Sequence, residues 1–517
     1  MSANSVNNAT FGTVGMSTGQ WYFEGRLDTA GGLHPFIGIS SQIGISNAQN
    51  TTNFGQSGTG VYKGSGTLSA GDIVGVAVSF TSAGVGSTVT FYVNGSIDSS
   101  GTGHRDRFDG KENTWIPGVS LVNAGVWSIN FGQNPTFSGT VTAGTYTDGN
   151  GKGLFKYQPP SGFLALCEDN LPTPAIADPG KYFKSVLWTG DDSNSMKITG
   201  IGFKPDLVWV KKRTGGSQNH TLYDSVRGAD KRLMPNVTNA ESSVTDYMRS
   251  FDNDGFSIGG NNFVNDVGQN YVAWCWKAGG AAVSNTDGSI TSQVSANQDA
   301  GFSIVSYTGT GASGTIGHGL SNEPEFVIIK DIDDGSYNWV TYHKDYTNSQ
   351  YIQKINLDDE EQDAGGTYAL TRGSSTLGVL GGLAINTSGN RYISYCWHSV
   401  EGFSKIGSYE GNGNADGPFV YCGFKPAWVM VKNIDDTGGR DWGTQDSSRK
   451  STNPCDKHLK ANSTEVENSG LADSTFQIDM LSNGFKVRNN TGIWNNSGET
   501  IIFMAFAESP FQTANAK

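Results

Sequence analysis

The densest group of carboxylates in the chain is the run Asp358-Asp359-Glu360-Glu361, with Asp363 two residues beyond it. Hydrolysis of a glycosidic bond needs two carboxyl groups held apart on either side of a sugar. Adjacent residues in an acidic run repel one another instead, and such runs are typical of solvated loops. We therefore interpret the run as a solvated loop. The rival hypothesis is a surface-glycan depolymerase that uses Asp359 and Glu361.

A second acidic pattern occurs twice after a similar apolar strand, as Lys330-Asp331-Ile332-Asp333-Asp334-Gly335 and as Lys432-Asn433-Ile434-Asp435-Asp436-Thr437-Gly438. Asp and Asn close to Gly favour tight turns, because their side chains hydrogen-bond to the backbone two residues on. Clustered carboxylates are also calcium ligands, but neither loop carries the full set of ligand positions. We predict turns in both places and at Asp252-Asn253-Asp254-Gly255, and we assign no metal and no cofactor.

Other reactive side chains are scattered. Five widely separated histidines lack the i, i+4 spacing of a zinc site; they are His104, His220, His318, His343 and His458. No G-x-S-x-G, P-loop or dinucleotide fingerprint occurs in the sequence, so we predict no catalytic residue and no enzyme. The five cysteines form no C-x-x-C pair, which predicts free thiols; they are Cys167, Cys275, Cys396, Cys422 and Cys455.

The elements that carry these side chains are predicted to be short strands. The 517 residues include 71 Gly, and 11% are aromatic while only 16% are charged. This composition is typical of many tight turns between aromatic strands, and the length predicts three or four all-β modules. The net charge of −13 argues against a nucleic-acid partner. A polar N-terminus and the lack of an apolar run of ~18 residues predict synthesis in a cytosol, without a signal peptide or membrane insertion.

Six strand and turn landmarks occur in order near the N-terminus: Trp21-Tyr22-Phe23-Glu24, Gly38-Ile39-Ser40, Gly71-Asp72-Ile73-Val74-Gly75-Val76, Thr90-Phe91-Tyr92-Val93-Asn94-Gly95, Ile116-Pro117-Gly118-Val119-Ser120-Leu121 and Asn130-Phe131-Gly132. With these landmarks, residues 10 to 165 resemble a SPRY domain. The resemblance implies a two-sheet β-sandwich without a catalytic role, whose loops at one end bind a protein partner. The charged loop from Ser99 to Asn113, with His104, Arg105 and Arg107, is the candidate contact in this module.

The rest of the chain repeats itself three times. Each copy opens with a strand ending in Gly and continues to an apolar strand that starts close after a Pro. These second landmarks are Pro205-Asp206-Leu207-Val208-Trp209-Val210-Lys211, Pro324-Glu325-Phe326-Val327-Ile328-Ile329-Lys330 and Pro426-Ala427-Trp428-Val429-Met430-Val431-Lys432. The unit of roughly 100 to 120 residues is longer than a solenoid repeat, so we predict a whole small domain for each copy. The continuous apolar runs predict strands buried on both faces, with Cys275 and Cys396 at equivalent buried positions.

The first copy also carries a resemblance of its own. Phe203-Lys204-Pro205-Asp206-Leu207-Val208-Trp209-Val210-Lys211, His220-Thr221-Leu222-Tyr223-Asp224-Ser225-Val226-Arg227-Gly228 and Tyr271-Val272-Ala273-Trp274-Cys275-Trp276-Lys277 resemble a repeat of virion proteins from marine tailed phages, especially fibre-like proteins of cyanobacterial phages. The resemblance covers about residues 160 to 517. It implies a non-enzymatic structural protein exposed on the virion: a tail fibre or tail appendage involved in host attachment, with a capsid-decorating protein or head fibre as the alternative.

These observations define one set of expectations. The fold is expected to be all-β, with an N-terminal SPRY-like β-sandwich at 1–165, a linker at 166–184, and three sandwich-like repeat domains at 185–280, 281–400 and 401–517. The expected partners are other virion proteins, a glycan or protein receptor on the host, and further copies of the chain, with a homotrimer expected from phage fibres in general. Candidate surface contacts are His104, Arg105, Arg107, Tyr337, Trp339, Tyr342 and Trp494. The alternative for any one of the four aromatics is packing in the core, and the alternative for the three charged residues is a solvated loop without a partner.

Overall fold

The computed structural model describes residues 8–12, 14–16, 18–30, 35–40, 60–63, 68–80, 87–98, 115–121, 125–171, 173–365, 370–381, 384–468, 476–490 and 493–511. The chain divides into two compact units, Met1–Thr173 and Pro174–Lys517, so the division falls inside the predicted linker. Strands dominate both units, and the named helices are two short 3-10 turns, Glu168–Asn170 and Pro179–Lys181. The all-β prediction is confirmed. Within the described ranges, no helix is both long enough and apolar enough to span a bilayer.

The first unit is a sandwich of two antiparallel-rich sheets. Its strands are β1 Asn8–Phe11, β2 Gln20–Thr29, β3 Phe36–Ser40, β4 Gly60–Lys63, β5 Ile73–Ser79, β6 Thr88–Val93, β7 Ser96–Ile97, β8 Ile116–Leu121, β9 Val126–Asn130 and β10 Leu164–Ala165. One sheet has the order β1-β8-β3-β4 and the other the order β10-β2-β5-β6-β7, with β9 paired to β2. Phe23 and Phe91 of the second sheet pack in one core with Ile37 and Val119 of the first. This arrangement is the two-sheet sandwich expected there; the SPRY assignment itself stays a prediction.

The second unit contains the same small sandwich three times. Repeat 1 has β11 Phe183–Thr189, β12 Met196–Thr199, β13 Leu207–Lys212, β14 Thr221–Asp224, β15 Lys231–Arg232, β16 Ser242–Ser243, β17 Met248–Asp252, β18 Gly255–Ile258 and β19 Asn270–Trp276. A hairpin of β20 Val283–Asn285 and β21 Ser292–Asn297 follows. Repeat 2 has β22 Phe302–Thr308, β23 Gly314–Gly317, β24 Phe326–Asp331, β25 Val340–His343, β26 Tyr351–Lys354, β27 Gln362–Asp363, β28 Leu370–Arg372, β29 Thr376–Val379 and β30 Arg391–Trp397. Repeat 3 has β31 Ser404–Glu410, β32 Phe419–Tyr421, β33 Phe424–Asn433, β34 Gly443–Asp446, β35 Leu459–Lys460, β36 Ile478–Leu481, β37 Gly484–Val487 and β38 Thr500–Pro510.

The strand order is equivalent in all three repeats. The last strand of each repeat lies between its first and third strands, as in β11-β19-β13-β14 and β31-β38-β33-β34-β35. Repeat 2 has the same core order, extended to eight strands because β20 and β21 add to its first strand and β26 and β27 add to its fourth. A second, three-stranded sheet completes each sandwich: β12-β18-β17, β23-β29-β28 and β32-β37-β36. The repeats therefore share one topology although their sequences have diverged.

Every large sheet of the second unit is buried on both faces, and the two faces have different partners. Alternate residues of a strand point to opposite sides of a sheet. In β13, Val208 and Val210 pack inside the sandwich of repeat 1, whereas Leu207 and Trp209 point into a cluster shared by all three repeats. Cys275 and Cys396 lie on the sandwich side of equivalent strands and are fully buried free thiols, as predicted. Because the second face of each large sheet packs into this shared cluster, both sets of alternating residues in its strands are apolar and the runs are continuous.

Three equivalent glycines end the first strand of each repeat, where the loop before the last strand crosses close to them: Gly190, Gly309 and Gly411. A Cβ atom at Gly309 would lie only 2.2 Å from the carbonyl oxygen of Thr387, and the other two glycines are approached equally closely by backbone oxygens. The crossing backbone therefore requires a residue without a side chain.

Replacing Gly309 with alanine is expected to lower the free energy of unfolding by about 1–3 kcal/mol, because the backbone must move to admit the methyl group. Urea unfolding followed by tryptophan fluorescence measures the change. Gly149→Ala is the matched control, since a Cβ atom there meets nothing within 4 Å. Equal stability of the two variants would contradict this prediction.

Candidate functional site

The repeats of the second unit are joined in a cycle by one hydrogen bond that occurs three times. The Glu241 amide of repeat 1 donates to the Ile332 carbonyl of repeat 2 over 2.9 Å, and the Glu361 amide of repeat 2 donates to the Ile434 carbonyl of repeat 3 over 3.0 Å. The Glu467 amide of repeat 3 donates back to the Arg213 carbonyl of repeat 1 over 3.2 Å. Repeat 1 therefore contacts repeat 2, repeat 2 contacts repeat 3, and repeat 3 contacts repeat 1. We call this closed arrangement the ring, and each junction a seam.

A second set of contacts follows the same cycle, from the end of the fourth strand of one repeat to the last strand of the next. The Tyr395 hydroxyl donates to Asp224 over 2.7 Å, and Trp274 Nε1 donates to Asp446 Oδ2 over 3.0 Å. The remaining seam uses a histidine, whose Nε2 lies 3.4 Å from the Phe503 carbonyl. That histidine is His343, at the position of the two aspartates. Equivalent positions thus carry polar groups that cross each seam.

Two of the seams contain buried ion pairs built on the motif Asp-Ser-x-Arg. In repeat 3, Arg449 Nε lies 2.5 Å from Asp446 Oδ2, both side chains are fully buried, and Arg449 also reaches Glu467 over 3.2 Å. Repeat 1 has the equivalent pair Asp224 and Arg227. Burial alone would lower the pKa of each guanidinium, but the neighbouring carboxylates raise the pKa of both arginines above its usual value. Both arginines therefore stay charged in the folded ring, and their ion pairs fix the side chains at the two seams.

Each repeat also buries a lysine near the end of its third strand. Lys211 Nζ donates across a seam to the Thr464 carbonyl over 2.8 Å, and Lys432 Nζ donates to the Asp358 carbonyl over 3.1 Å. Lys330 Nζ donates to the Tyr337 carbonyl of its own repeat over 2.8 Å. Burial lowers the pKa of Lys211 to about 7 and that of Lys330 and Lys432 to about 8. Each of these amines holds a backbone carbonyl of a loop or seam.

The acidic segments that were predicted to be turns do form turns. Asp331 Oδ1 accepts hydrogen bonds from the amides of Asp333 and Asp334, over 3.0 and 2.9 Å, and Asn433 has the same role in repeat 3. Asp252 pairs with Gly255 across the hairpin turn between β17 and β18, and Asp254 in that turn accepts hydrogen bonds from the amides of Gly200 and Gly202 in the loop after β12. Among the residues that the structure describes, no three His, Cys, Asp or Glu side chains are grouped so that they could hold a metal ion.

The acidic run at residues 358–361 is a loop, as predicted, and it lies at the seam between repeats 2 and 3, where Asp358 is exposed and the other three residues are half-buried. The Asp358 carbonyl accepts hydrogen bonds from the Arg440 amide over 2.7 Å and from Lys432 Nζ. Glu361 is half-buried, its carboxylate accepts a hydrogen bond from the Thr347 amide over 2.9 Å, and burial raises its pKa. The Asp358 carbonyl thus accepts hydrogen bonds from basic residues of repeat 3, while the Asp358 residue itself stays exposed.

Three of the aromatic residues predicted as surface contacts are core residues: Trp339 and Trp494 are 1% exposed and Tyr342 is 2% exposed. This corrects the prediction. Trp339 donates its indole N–H to carbonyls of repeat 1, so it closes a seam. Tyr337 is half-buried and stays a candidate. The other predicted contacts, His104, Arg105 and Arg107, lie outside the described residues.

Three buried asparagines were not singled out from the sequence, although they define each repeat. Their side chains are fully buried, and each accepts a hydrogen bond from the loop that follows the first strand of its repeat; they are Asn265, Asn386 and Asn495. Each stands five residues before the last strand of its repeat, at Asn270, Arg391 and Thr500. That constant spacing is a signal that the sequence contained.

The ring therefore uses its buried charged and amide groups to hold loops and seams, and this geometry is suited to a rigid frame. No curated protein matches the chain. A family model described as a domain of unknown function, DUF7483, matches residues 178–510, well over half of the chain. The matched range begins just before β11 and ends with β38, so it contains all three repeats and covers the whole ring. The chain belongs to the DUF7483 family of domains of unknown function, and in this chain the domain is the closed ring of three sandwiches.

Proposed function

We propose that this chain is a non-enzymatic structural protein of a phage virion, a tail fibre or tail appendage that takes part in host attachment. The observation that carries the proposal is the ring, because three diverged sandwiches share one buried core while their buried polar groups are used in seams and loops. Such a frame holds its loops in fixed positions, which suits a protein that presents contact surfaces outside a cell.

The other parts of the proposal have separate support. The N-terminal unit is a two-sheet sandwich, as a SPRY-like protein-binding module would be. The expected partners are neighbouring virion proteins and a glycan or protein receptor on the host surface. Because one chain already supplies three equivalent sandwiches, a homotrimer would contain nine, and self-association would place the rings side by side or end to end.

Mass spectrometry and cryo-electron microscopy of purified virions test this proposal directly. We expect the chain among the virion proteins, as density for a three-lobed ring on the tail. Ring density on the capsid would favour a capsid-decorating protein or head fibre. Absence of the chain from mature particles would contradict a virion role.

The depolymerase hypothesis is tested on the purified chain with host envelope polysaccharide. We expect no release of reducing sugar, because the acidic run is held at a seam. Release of reducing sugar that is lost in Asp359→Asn and Glu361→Gln variants, with unchanged melting temperatures, would contradict the non-enzymatic proposal.

A further inference from the structure

Among the described strands, a hairpin in front of the first strand extends the large sheet of repeat 2 alone. Strands β20 and β21 form this hairpin, and repeats 1 and 3 keep the same core strand order without it. The hairpin is anchored to the second sheet of its sandwich, because Ile290 bridges Ile316 and the Ser292 hydroxyl donates to the Gly317 carbonyl over 2.8 Å. The fold of a repeat therefore does not need the hairpin, yet the outer edge of β20 is held in a fixed position.

A row of three valines crosses the hairpin and ends at the solvent. The strand register places Val283 of β20 beside Val294 of β21, and Val294 beside Val305 of β22. Val305 and Val294 are buried in the core of repeat 2, at 0% and 3% exposure, whereas Val283 is 66% exposed. Directly paired residues lie on the same face of a sheet. Val283 therefore continues the apolar core to the edge, where a further strand beside β20 would bury it.

The backbone on either side of Val283 points towards this open edge. Hydrogen bonds alternate in direction along an antiparallel strand, and the Gly309 amide just after β22 donates to the Asn390 carbonyl, towards β30. Followed through the paired residues of β22, β21 and β20, this alternation directs the backbone of Val283 towards β21. It directs the N–H and C=O groups of Ala282 and Ser284 the other way, where no strand of the described structure pairs with β20.

The strand β20 lacks the features that protect edge strands from pairing with another chain. Charged residues, prolines and bulges serve this purpose. The sequence Val283-Ser284-Asn285 contains no charge and no proline, and it pairs with β21 without a register shift. Each other outermost strand of the three large sheets carries a charged residue; these residues are Lys184, Asp224, Asp363, Lys405 and Lys460. Of these edges, β20 is the one that most readily accepts another strand.

We propose that β20 pairs with β20 of a second copy of the chain, in an antiparallel register centred on Val283. Val283 then lies opposite the same residue of the second copy, and the row of three valines becomes a row of six across one continuous sheet. Ala282 lies opposite Ser284 of the second copy, and the two exchange backbone hydrogen bonds. Asp287 lies opposite Gly279, so no like charges meet. The pair uses one patch on both copies and closes at two chains.

This self-complementarity favours a second copy over a strand of another protein, because one register satisfies the outward backbone groups and covers the exposed valine at once. The edge is short, so the pair buries less than the ~1,200–2,000 Å² of a stable interface. We therefore expect a weak dimer, with a dissociation constant on the order of 10 μM or higher. Dimerisation would matter where copies are concentrated, as on a particle. That setting rests on the proposed function; the edge and its pairing do not.

Sedimentation velocity of the full chain across the micromolar range tests the pairing. We expect a monomer–dimer equilibrium in the unaltered chain. Val283→Lys should weaken dimerisation by roughly tenfold or more, because two ammonium groups would face each other at the centre of the pair. Val267→Lys is the matched control, since Val267 is 64% exposed in the loop before β19. It should dimerise as the unaltered chain does.

Cysteine substitution tests the register. The Cα atoms of a directly opposed residue pair without mutual hydrogen bonds are about 4.5 Å apart, within the span of a disulfide. Val283→Cys should therefore form a covalent dimer on oxidation. Ser284→Cys should form far less, because it lies opposite Ala282 of the second copy and its own counterpart is diagonal, about 7–8 Å away. The unaltered chain, with its five native cysteines, provides the baseline.

Three results would each overturn the proposal: a chain that stays monomeric, equal weakening by Val267→Lys, or cross-linking of Ser284→Cys as readily as Val283→Cys. Circular dichroism checks the fold of every variant. If Val283→Lys does not fold, the two cysteine variants decide the question.

The virion proposal is tested independently of this edge. A chain that dimerises through β20 but is absent from virions would keep the pairing and remove the virion role. A monomeric chain found in virions would keep that role and remove the pairing.

Discussion

Replacing Arg449 with methionine is expected to lower the free energy of unfolding of the ring by about 3–5 kcal/mol. The substitution leaves the Asp446 carboxylate buried without its cation, and it also removes the hydrogen bonds of Arg449 to Glu467 and to the Thr444 carbonyl. Removal of one partner from a buried pair costs far more than loss of an exposed pair. Urea unfolding monitored by tryptophan fluorescence measures the loss.

The control for this substitution is Arg488→Met. Arg488 is 42% exposed and is paired with Asp416 and Asp479 at the surface, so its replacement should change stability by less than about 1 kcal/mol. The unfolding transition of Arg449→Met should also stay single, because repeats 1 and 3 share this seam and the central core. Separate unfolding of repeat 3 in the Arg449 variant, or similar losses in both variants, would contradict a cooperative ring.

The ring could not be predicted from the sequence, although its parts could. The continuous apolar runs of β13 and β24 predict two buried faces for each strand, but such a run does not specify what a face packs against. A chain of separate sandwiches and a closed ring require the same apolar positions. The decisive contacts join residues distant in sequence, such as Tyr395 and Asp224, and their residue types differ from seam to seam.

The same limit explains the errors in the predicted contact residues. Trp339 follows a polar turn that contains Tyr337, and the sequence does not distinguish an exposed loop aromatic from the first buried residue before a strand. The structure separates them because the Trp339 indole crosses to repeat 1. Turns were predictable because Asx hydrogen bonds are local, and free cysteines were predictable because their pairing would need a partner at suitable spacing.

The three repeats carry different side chains at equivalent positions. One cross-strand position holds Arg232 in repeat 1, Ile352 in repeat 2 and His458 in repeat 3, while the buried asparagines and glycines of the loops recur in all three. A frame that keeps its strand order and these loop residues can accept different side chains elsewhere.

Acidification from pH 7 to pH 5 is expected to destabilise the ring by up to about 6 kcal/mol, through three buried histidines that contribute about 2 kcal/mol each. Burial lowers the pKa of His343 to about 3 and that of His458 to about 4, and it lowers the pKa of His220 well below its usual value. Between pH 6.5 and 5 the unfolded chain therefore binds protons that the folded ring does not. Stability is fully present above about pH 6.5 and is lost as the pH falls towards the folded-state pKa values.

Hydrogen bonds act with burial to keep the imidazoles of His343 and His220 neutral. His343 Nδ1 accepts from the Asp345 amide over 3.1 Å, and His220 Nδ1 accepts from Trp209 Nε1 over 2.9 Å, so a proton on either nitrogen would break a buried hydrogen bond. Lys344 and Arg372 further oppose a charge on His343, whereas Glu325 favours it. Half-buried carboxyls such as Asp345 and Glu361, whose pKa burial raises, take up protons in the folded state and reduce the total loss of stability.

Comparison with His343→Gln isolates one histidine, because glutamine keeps an amide near the seam but does not titrate. Between pH 7 and pH 5 the unaltered chain should lose about 2 kcal/mol more unfolding free energy than this variant, since the carboxyls are common to both. Urea unfolding at the two pH values measures the difference. Parallel losses in the two proteins would mean that His343 titrates normally and that the seam between repeats 2 and 3 opens to solvent.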